Sequence, residues 1–269
     1  MLFSSVCSAF VVHAGRMDAG NLLYVTGAMW SPGLAALATK KLFKENIRDL
    51  PWRWGDSKYE WLGYLIPIAY ALPVYLIVWI TGLGGFNLSI LPKVAADFGW
   101  KNSPPALTLI LFVLITATVG MVAKLSRALG EEIGWRGFLV PELSKVVGFA
   151  GIGVISGLMW AVYHFPVLLF ANYNAGGPAW YGATCFTIAV IGESYILAWL
   201  TLRARSLWPA AILHASHNLF IQSIFTPLTS DTGPTKYIID EFGIGLVITV
   251  TIVAIIAWRS ARLLPVATT

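Results

Sequence analysis

The chain has 269 residues, a formal net charge of +5, 57% hydrophobic and 12% charged residues, and a mean hydropathy of +0.73. Soluble domains carry roughly 25% charged residues, so a water-soluble globular domain is excluded. The Lys and Arg residues cluster at the ends of apolar runs instead of forming one basic stripe, which argues against nucleic acid and makes the positive charge a topology signal. Cys7 and Cys185 lie in apolar stretches without the spacing of a disulfide framework or a thiolate metal site.

In chain order, apolar runs fall at Leu2 to His13, Gly20 to Phe43, Glu60 to Gly82, Pro105 to Lys124, Val146 to Phe170, Trp180 to Leu202, Leu207 to Phe225 and Ile238 to Trp258. The first is short and lacks the positive flank and cleavage site of a secretion signal. The others approach the roughly 20 residues needed to cross a hydrocarbon core. Their continuity, without the alternation of membrane strands, predicts an all-α polytopic bundle of about eight spans. The stretch Ser126 to Lys145 mixes charges with Leu129, Ile133, Trp135, Phe138, Leu139 and Val140, and reads as helix continuing near or into the membrane and stopping at Pro141 or soon after.

Thirteen of the 18 basic residues are expected on one side: Lys40, Lys41, Lys44, Arg48, Arg53, Lys58, Lys124, Arg127, Lys145, Arg203, Arg205, Arg259 and Arg262. Arg16, Lys93, Lys101 and Lys236 are expected on the other. The bias predicts both termini in the cytoplasm. The chain divides into N-terminal spans (1–104), a core (105–226) and a final span with its tail (227–269), all within one membrane domain.

An Asp, Lys or Arg at a helix centre costs about 2.5 to 3.5 kcal/mol on the insertion scale, so polar residues stranded in apolar runs need a partner or a purpose. They are Glu131, Glu132 and Arg136 in GEEIGWRGF, His164 in WAVYHFP, Glu193 in IGESYIL, and His214, His217 and Asn218 in ILHASHNLF. Glu132 and Arg136 are four apart and share a helix face, which suits an ion pair and leaves Glu131 as a base. His214 and Asn218 have the same spacing. Carboxylate, imidazole and amide together suit water activation and oxyanion stabilisation. Zinc held by Glu131, His164 and His214 is the alternative, disfavoured because there is no H-E-x-x-H and Asn218 stands where a second helical histidine would be. Ser156, between Gly153 and Gly157, lacks the spacing of a serine nucleophile, and Asp97, Asp231 and Asp240 form no intramembrane aspartate pair.

Glu131 to Arg136 match an E-E-x-x-x-R motif, Trp160 to His164 resemble F-x-x-x-H, and His214 to Asn218 match H-x-x-x-N, in that order. The set resembles the CAAX protease and bacteriocin-processing enzyme family, which includes the type II CAAX prenyl endopeptidases, over about Met121 to Phe225. The resemblance implies a prokaryotic cell-membrane endopeptidase acting on a peptide or protein, lipidated or not, with a cavity within the bilayer. It implies Glu131 as the base, His164 positioning water, His214 and Asn218 stabilising the oxyanion, and Glu132 and Arg136 in support. Trp160 stands where the motif has Phe, which predicts altered packing without loss of catalysis. Glu193 and His217 fall outside the motifs, with packing or capping as the expected role. A non-catalytic immunity or scaffold protein and a proton-coupled transporter are the competing readings, the second weakened by the lack of a repeat.

Overall fold

A computed structural model describes residues 2–14, 22–100, 102–171 and 173–261. Arg16, Lys101 and Arg262, which entered the topology expectation, lie outside them. Among the described residues the architecture is all-α: α1 (Leu2–Ala14), α2 (Leu22–Leu42), α3 (Ser57–Thr81), the short α4 (Leu91–Asp97), α5 (Pro105–Leu143), α6 (Phe149–Phe170), α7 (Ala179–Ala204), α8 (208–225) and α9 (Ile244–Ala261). The single sheet among them is an antiparallel pair, β1 (Gly84–Phe86) and β2 (Thr229–Asp231), joining the loops after α3 and α8 with Gly84 opposite Asp231.

Each of the eight apolar runs contains a helix, and five helices, α3, α5, α6, α7 and α9, are long and apolar enough to cross a membrane. The α1 helix has 13 residues, α2 contains Pro32 and ends in Lys40 and Lys41, and α8 is diluted by His214, Ser216, His217 and Asn218, so the count of eight spans rests on these three weaker members. Ile77, Ile80, Ile110, Leu114, Val122, Ile252 and Ile256 are exposed on the outer faces, as expected where the surrounding solvent is lipid. The interior forms where α3, α7, α8 and α9 meet, around the fully buried Tyr70, Tyr75, Leu197, Leu213 and Leu246.

The span expected to end at Lys124 continues through the stretch expected to prolong it as helix: α5 runs for 39 residues and ends at Leu143, two residues past Pro141. Charge does not terminate the helix because its second half is wrapped by α2 and α8, so Glu131, Glu132 and Arg136 are buried in the bundle instead of meeting lipid. Two π-helical turns interrupt it, Thr116–Gly120 and Ile133–Leu139, and α8 has another at Phe220–Phe225. Such turns recur at functional sites because they rotate the side chains that follow.

Glycine lets α2 approach α5 at backbone distance. A Cβ on Gly134 would lie 2.5 Å from the carbonyl carbon of Pro32, and one on Gly130 would lie 2.8 Å from the Cα of Trp30. Alanine is normally worth about 1 kcal/mol over glycine inside a helix. Here overpacking, at about 1 to 3 kcal/mol, outweighs that gain because the obstacle is backbone. Gly134→Ala is therefore expected to lower the thermal unfolding midpoint in detergent, and an unchanged or raised midpoint would show that α2 is not seated on α5.

Candidate active site

The sequence places Glu131 and Glu132 on adjacent positions of α5, and the fold gives them different surroundings. Glu132 is completely buried: its Oε1 accepts hydrogen bonds from Arg136 Nη1 at 3.0 Å and from His214 Nδ1 at 2.9 Å. Arg136, also fully buried, donates through Nη2 to Ser194 Oγ of α7 at 3.1 Å and lies over the Trp160 ring, 4.4 Å from its centroid. The expected pair thus exists and also reaches α6, α7 and α8.

Glu131 faces a cavity of about 440 Å³ lined also by Trp160, His164, Glu193, His214, His217, Asn218, Gln222 and Glu241. Its Oε2 accepts from Trp160 Nε1 at 2.7 Å and from Trp135 Nε1 at 3.4 Å. The Trp in place of Phe therefore does more than alter packing, since phenylalanine has no N–H to donate. Both indoles bind the same oxygen.

His164 Nδ1 lies 3.0 Å from the Trp160 carbonyl. A carbonyl only accepts, so Nδ1 carries the proton and Nε2 is the acceptor of the neutral ring. By the same reasoning His214 Nδ1–H donates a hydrogen bond to the Glu132 carboxylate, leaving Nε2 for the cavity. Asn218 Oδ1 accepts from Gln222 Nε2 at 3.4 Å, which leaves the Asn218 amide N–H groups as donors.

Glu193 and His217, expected to pack or cap, form a second cluster on the same cavity. His217 Nδ1 is 2.7 Å from Glu193 Oε1 and 2.7 Å from the Tyr70 hydroxyl, and its Nε2 is 3.9 Å from Glu241 Oε2. Glu241 Oε1 accepts from Tyr173 at 2.7 Å and from Gln222 at 2.6 Å. Burial and the neighbouring Glu241 charge push the Asp240 carboxyl, in the loop before α9, up to about 6. Sequence reasoning missed Gln222, although it sits four residues after Asn218 on the same face, and it missed Glu241, for which no spacing gives a signal. Among the described residues no group of three or more His, Cys, Asp or Glu side chains is arranged to hold a metal ion.

Comparison with known proteins finds a family model in this part of the chain. Residues 103–220 match the family described as Type II CAAX prenyl endopeptidase Rce1-like. This segment is Rce1-like. The resemblance carried by the three motifs is thereby supported, and all three lie within the matched residues. The chain is also similar to CAAX prenyl protease 2 of Methanococcus maripaludis, 30% identical over 94 residues, or 33% of this chain. The match covers 34% of that relative, so the chain spans about a third of the length of the curated relative it matches. With five apolar helices long enough to cross a bilayer, the Rce1-like segment belongs to an integral membrane protein.

Removing one partner of a buried ion pair leaves an uncompensated charge, at a cost of about 3 to 5 kcal/mol. Glu132→Ala strands Arg136 among Ser194, Trp160 and apolar neighbours. The expected outcome is a large drop in unfolding midpoint or failure to accumulate in the membrane, read by fluorescence-detected size exclusion. A Glu132→Ala variant as stable as the parent would mean that the pair is not what holds α5, α7 and α8 together.

Proposed function

We propose that the chain is an intramembrane endopeptidase in which Glu131 activates water for peptide-bond hydrolysis. The observation that carries this reading is convergence: Glu131 of α5, His164 of α6, and His214 and Asn218 of α8 line one cavity in a bundle of apolar helices. In the proposed cycle the two indoles fix Oε2 of Glu131, and Oε1 takes a proton from water as its oxygen attacks the scissile carbonyl. His164 orients that water by accepting through Nε2. The oxyanion of the tetrahedral intermediate receives hydrogen bonds from the Asn218 amide and from Nε2–H of His214 in its imidazolium form, whose Nδ1–H is held by the Glu132 carboxylate. Collapse of the intermediate breaks the C–N bond, and the proton on Glu131 passes to the leaving amine. Every step uses groups of the chain itself, without a covalent intermediate or a zinc ligand.

The substrate of this reading is a peptide or protein held at the bilayer, and the name of the matched relative, CAAX prenyl protease 2, favours a prenylated one. The distribution of basic residues supports both termini in the cytoplasm, and the matched relative from Methanococcus maripaludis favours a prokaryotic cell membrane. The immunity, scaffold and transporter readings share the cavity but do not require Glu131 to exchange a proton with water.

Positioned acid–base groups contribute about 10² to 10⁴ in rate. Glu131→Gln is therefore expected to lose at least about 100-fold in cleavage of a prenylated reporter peptide in nanodiscs, with its unfolding midpoint retained. The chelator 1,10-phenanthroline is expected to leave the parent rate unchanged. A folded Glu131→Gln variant that cleaves at the parent rate sinks the mechanism, and loss of activity on chelation replaces it with a metal-assisted one.

A further inference from the structure

The proposed cycle requires Asn218 to donate, and the side chain alone does not ensure that it does. A carboxamide carries an acceptor oxygen and a donor NH₂ group on one planar head, so a turn of about 180° at its last torsion exchanges them. Turned one way, Asn218 meets the oxyanion with N–H. Turned the other way, it meets a negative charge with a lone pair. The helix does not choose between the two, because α8 fixes Cβ while the terminal torsion of an asparagine stays broad. The choice falls to whatever the other side of the amide meets.

That neighbour is Gln222. It stands four residues further along α8, within the π-helical turn Phe220–Phe225, and its Nε2 lies 3.4 Å from Asn218 Oδ1. The direction of the Gln222 amide is set in turn by two partners that have no alternative role. Nε2 donates to Glu241 Oε1 at 2.6 Å, and an ionised carboxylate only accepts. Oε1 accepts from Lys124 Nζ at 3.4 Å, and an ammonium only donates. Tyr173 adds a third constraint, because its hydroxyl proton goes to Glu241 Oε1 at 2.7 Å and its oxygen is left to accept from Gln222 Nε2 at 3.2 Å. With one amide hydrogen of Gln222 committed to Glu241, the other is left for Tyr173 and Asn218.

At 3.4 Å the contact with Asn218 is long for a hydrogen bond and attracts weakly. It acts mainly by what it forbids. With the Asn218 amide reversed, two NH₂ groups would face each other across the same gap, in a partly buried site where unmatched donors are costly. We propose that Gln222 is a positioning residue that keeps the Asn218 N–H groups turned toward the cavity, and that Glu241, on the loop before α9, fixes Gln222. This rests on the reading of Asn218 as an oxyanion donor. Gln222 acts through Asn218, and no proton passes to or from it, so the pH profile of kcat is expected to keep its shape when Gln222 is replaced.

The test is a double-variant cycle on the full-length protein in nanodiscs, with kcat and KM measured for the prenylated reporter peptide. Gln222→Met keeps the side-chain length and removes both donor and acceptor. An oxyanion donor is worth about 10² to 10³ in kcat, so losing its orientation but not the group is expected to cost about tenfold, with KM within about twofold of the parent. The unfolding midpoint is expected to be retained. Asn218→Ala is expected to lose about 100-fold in kcat. In the Asn218→Ala background, Gln222→Met is expected to cost nothing more, because no amide is left to orient. Glu241→Gln gives Gln222 a partner that can donate as well as accept, and is expected to lower kcat less than Gln222→Met does and to add nothing in the Gln222→Met background.

Gln222→Met at the parent kcat, a loss that falls on KM instead of kcat, or an equal loss with and without Asn218 overturns the positioning role and leaves the chemistry at Glu131 untouched. A further loss from Glu241→Gln in the Gln222→Met background overturns the part assigned to Glu241. Asn218→Ala at the parent kcat removes the oxyanion reading itself, and the proposal with it. If Gln222→Met does not fold, Gln222→Asn, which keeps the amide but withdraws it by one methylene, takes its place in the cycle with the same expected outcomes.

Discussion

A single carboxylate oxygen, Oε1 of Glu132, governs the arrangement of the bundle. It receives Arg136 from its own helix and His214 from α8, while Arg136 reaches on to Ser194 of α7 and stacks on Trp160 of α6. Four helices are fixed by one buried network. The desolvation of a fully buried guanidinium and carboxylate is expensive, so ion pairing alone makes a poor stabiliser. What it provides is registry: α5, α6, α7 and α8 cannot slide past one another without stranding a charge. The close seating of Gly130 and Gly134 against α2 then holds the other face of α5.

That registry allows two neighbouring glutamates to serve different ends. On a helix, successive residues diverge by about 100°, so Glu132 points into the network while Glu131 points into the cavity. The indoles of Trp135 and Trp160 hold only Oε2 of Glu131. Trp160 sits between the two, donating its N–H to Glu131 and offering its face to Arg136. The residue that departs from the motif is the one that joins the structural carboxylate to the cavity-facing one.

Much of this was legible in the sequence because membrane proteins state their constraints openly. Long apolar runs fixed the all-α class, and helical spacing of four residues correctly paired Glu132 with Arg136. The continuation of α5 toward Pro141 was legible, but its burial in the bundle was not, since Lys124 and Arg127 resemble a span end until the helices that cover the segment are known. The role of Trp160 was hidden for a different reason: an aromatic motif position reads as bulk, and only the tertiary fold brings Glu131 within reach of its N–H. His217 and Glu193 lie on separate helices, and Glu241 in a loop, so no periodicity connects them.

The same distinction explains why the cavity has two polar ends. Around Glu131, His164 and His214, the hydrogen bonds run inward from α5, α6 and α8 and leave one nitrogen of each imidazole uncommitted. Around His217, Glu193, Tyr70 and Glu241, both imidazole nitrogens lie near polar partners. An uncommitted ring can orient water or meet a developing charge, whereas the His217 ring, held at Nδ1 and faced by the Glu241 carboxylate at Nε2, serves to keep its neighbours in place. Asn218 and Gln222 stand between the two ends, with Gln222 reaching Glu241, Asn218 and Lys124. A displacement of the loop that carries Glu241 would therefore be felt first at Gln222, and through it at both the proposed oxyanion donor Asn218 and Lys124.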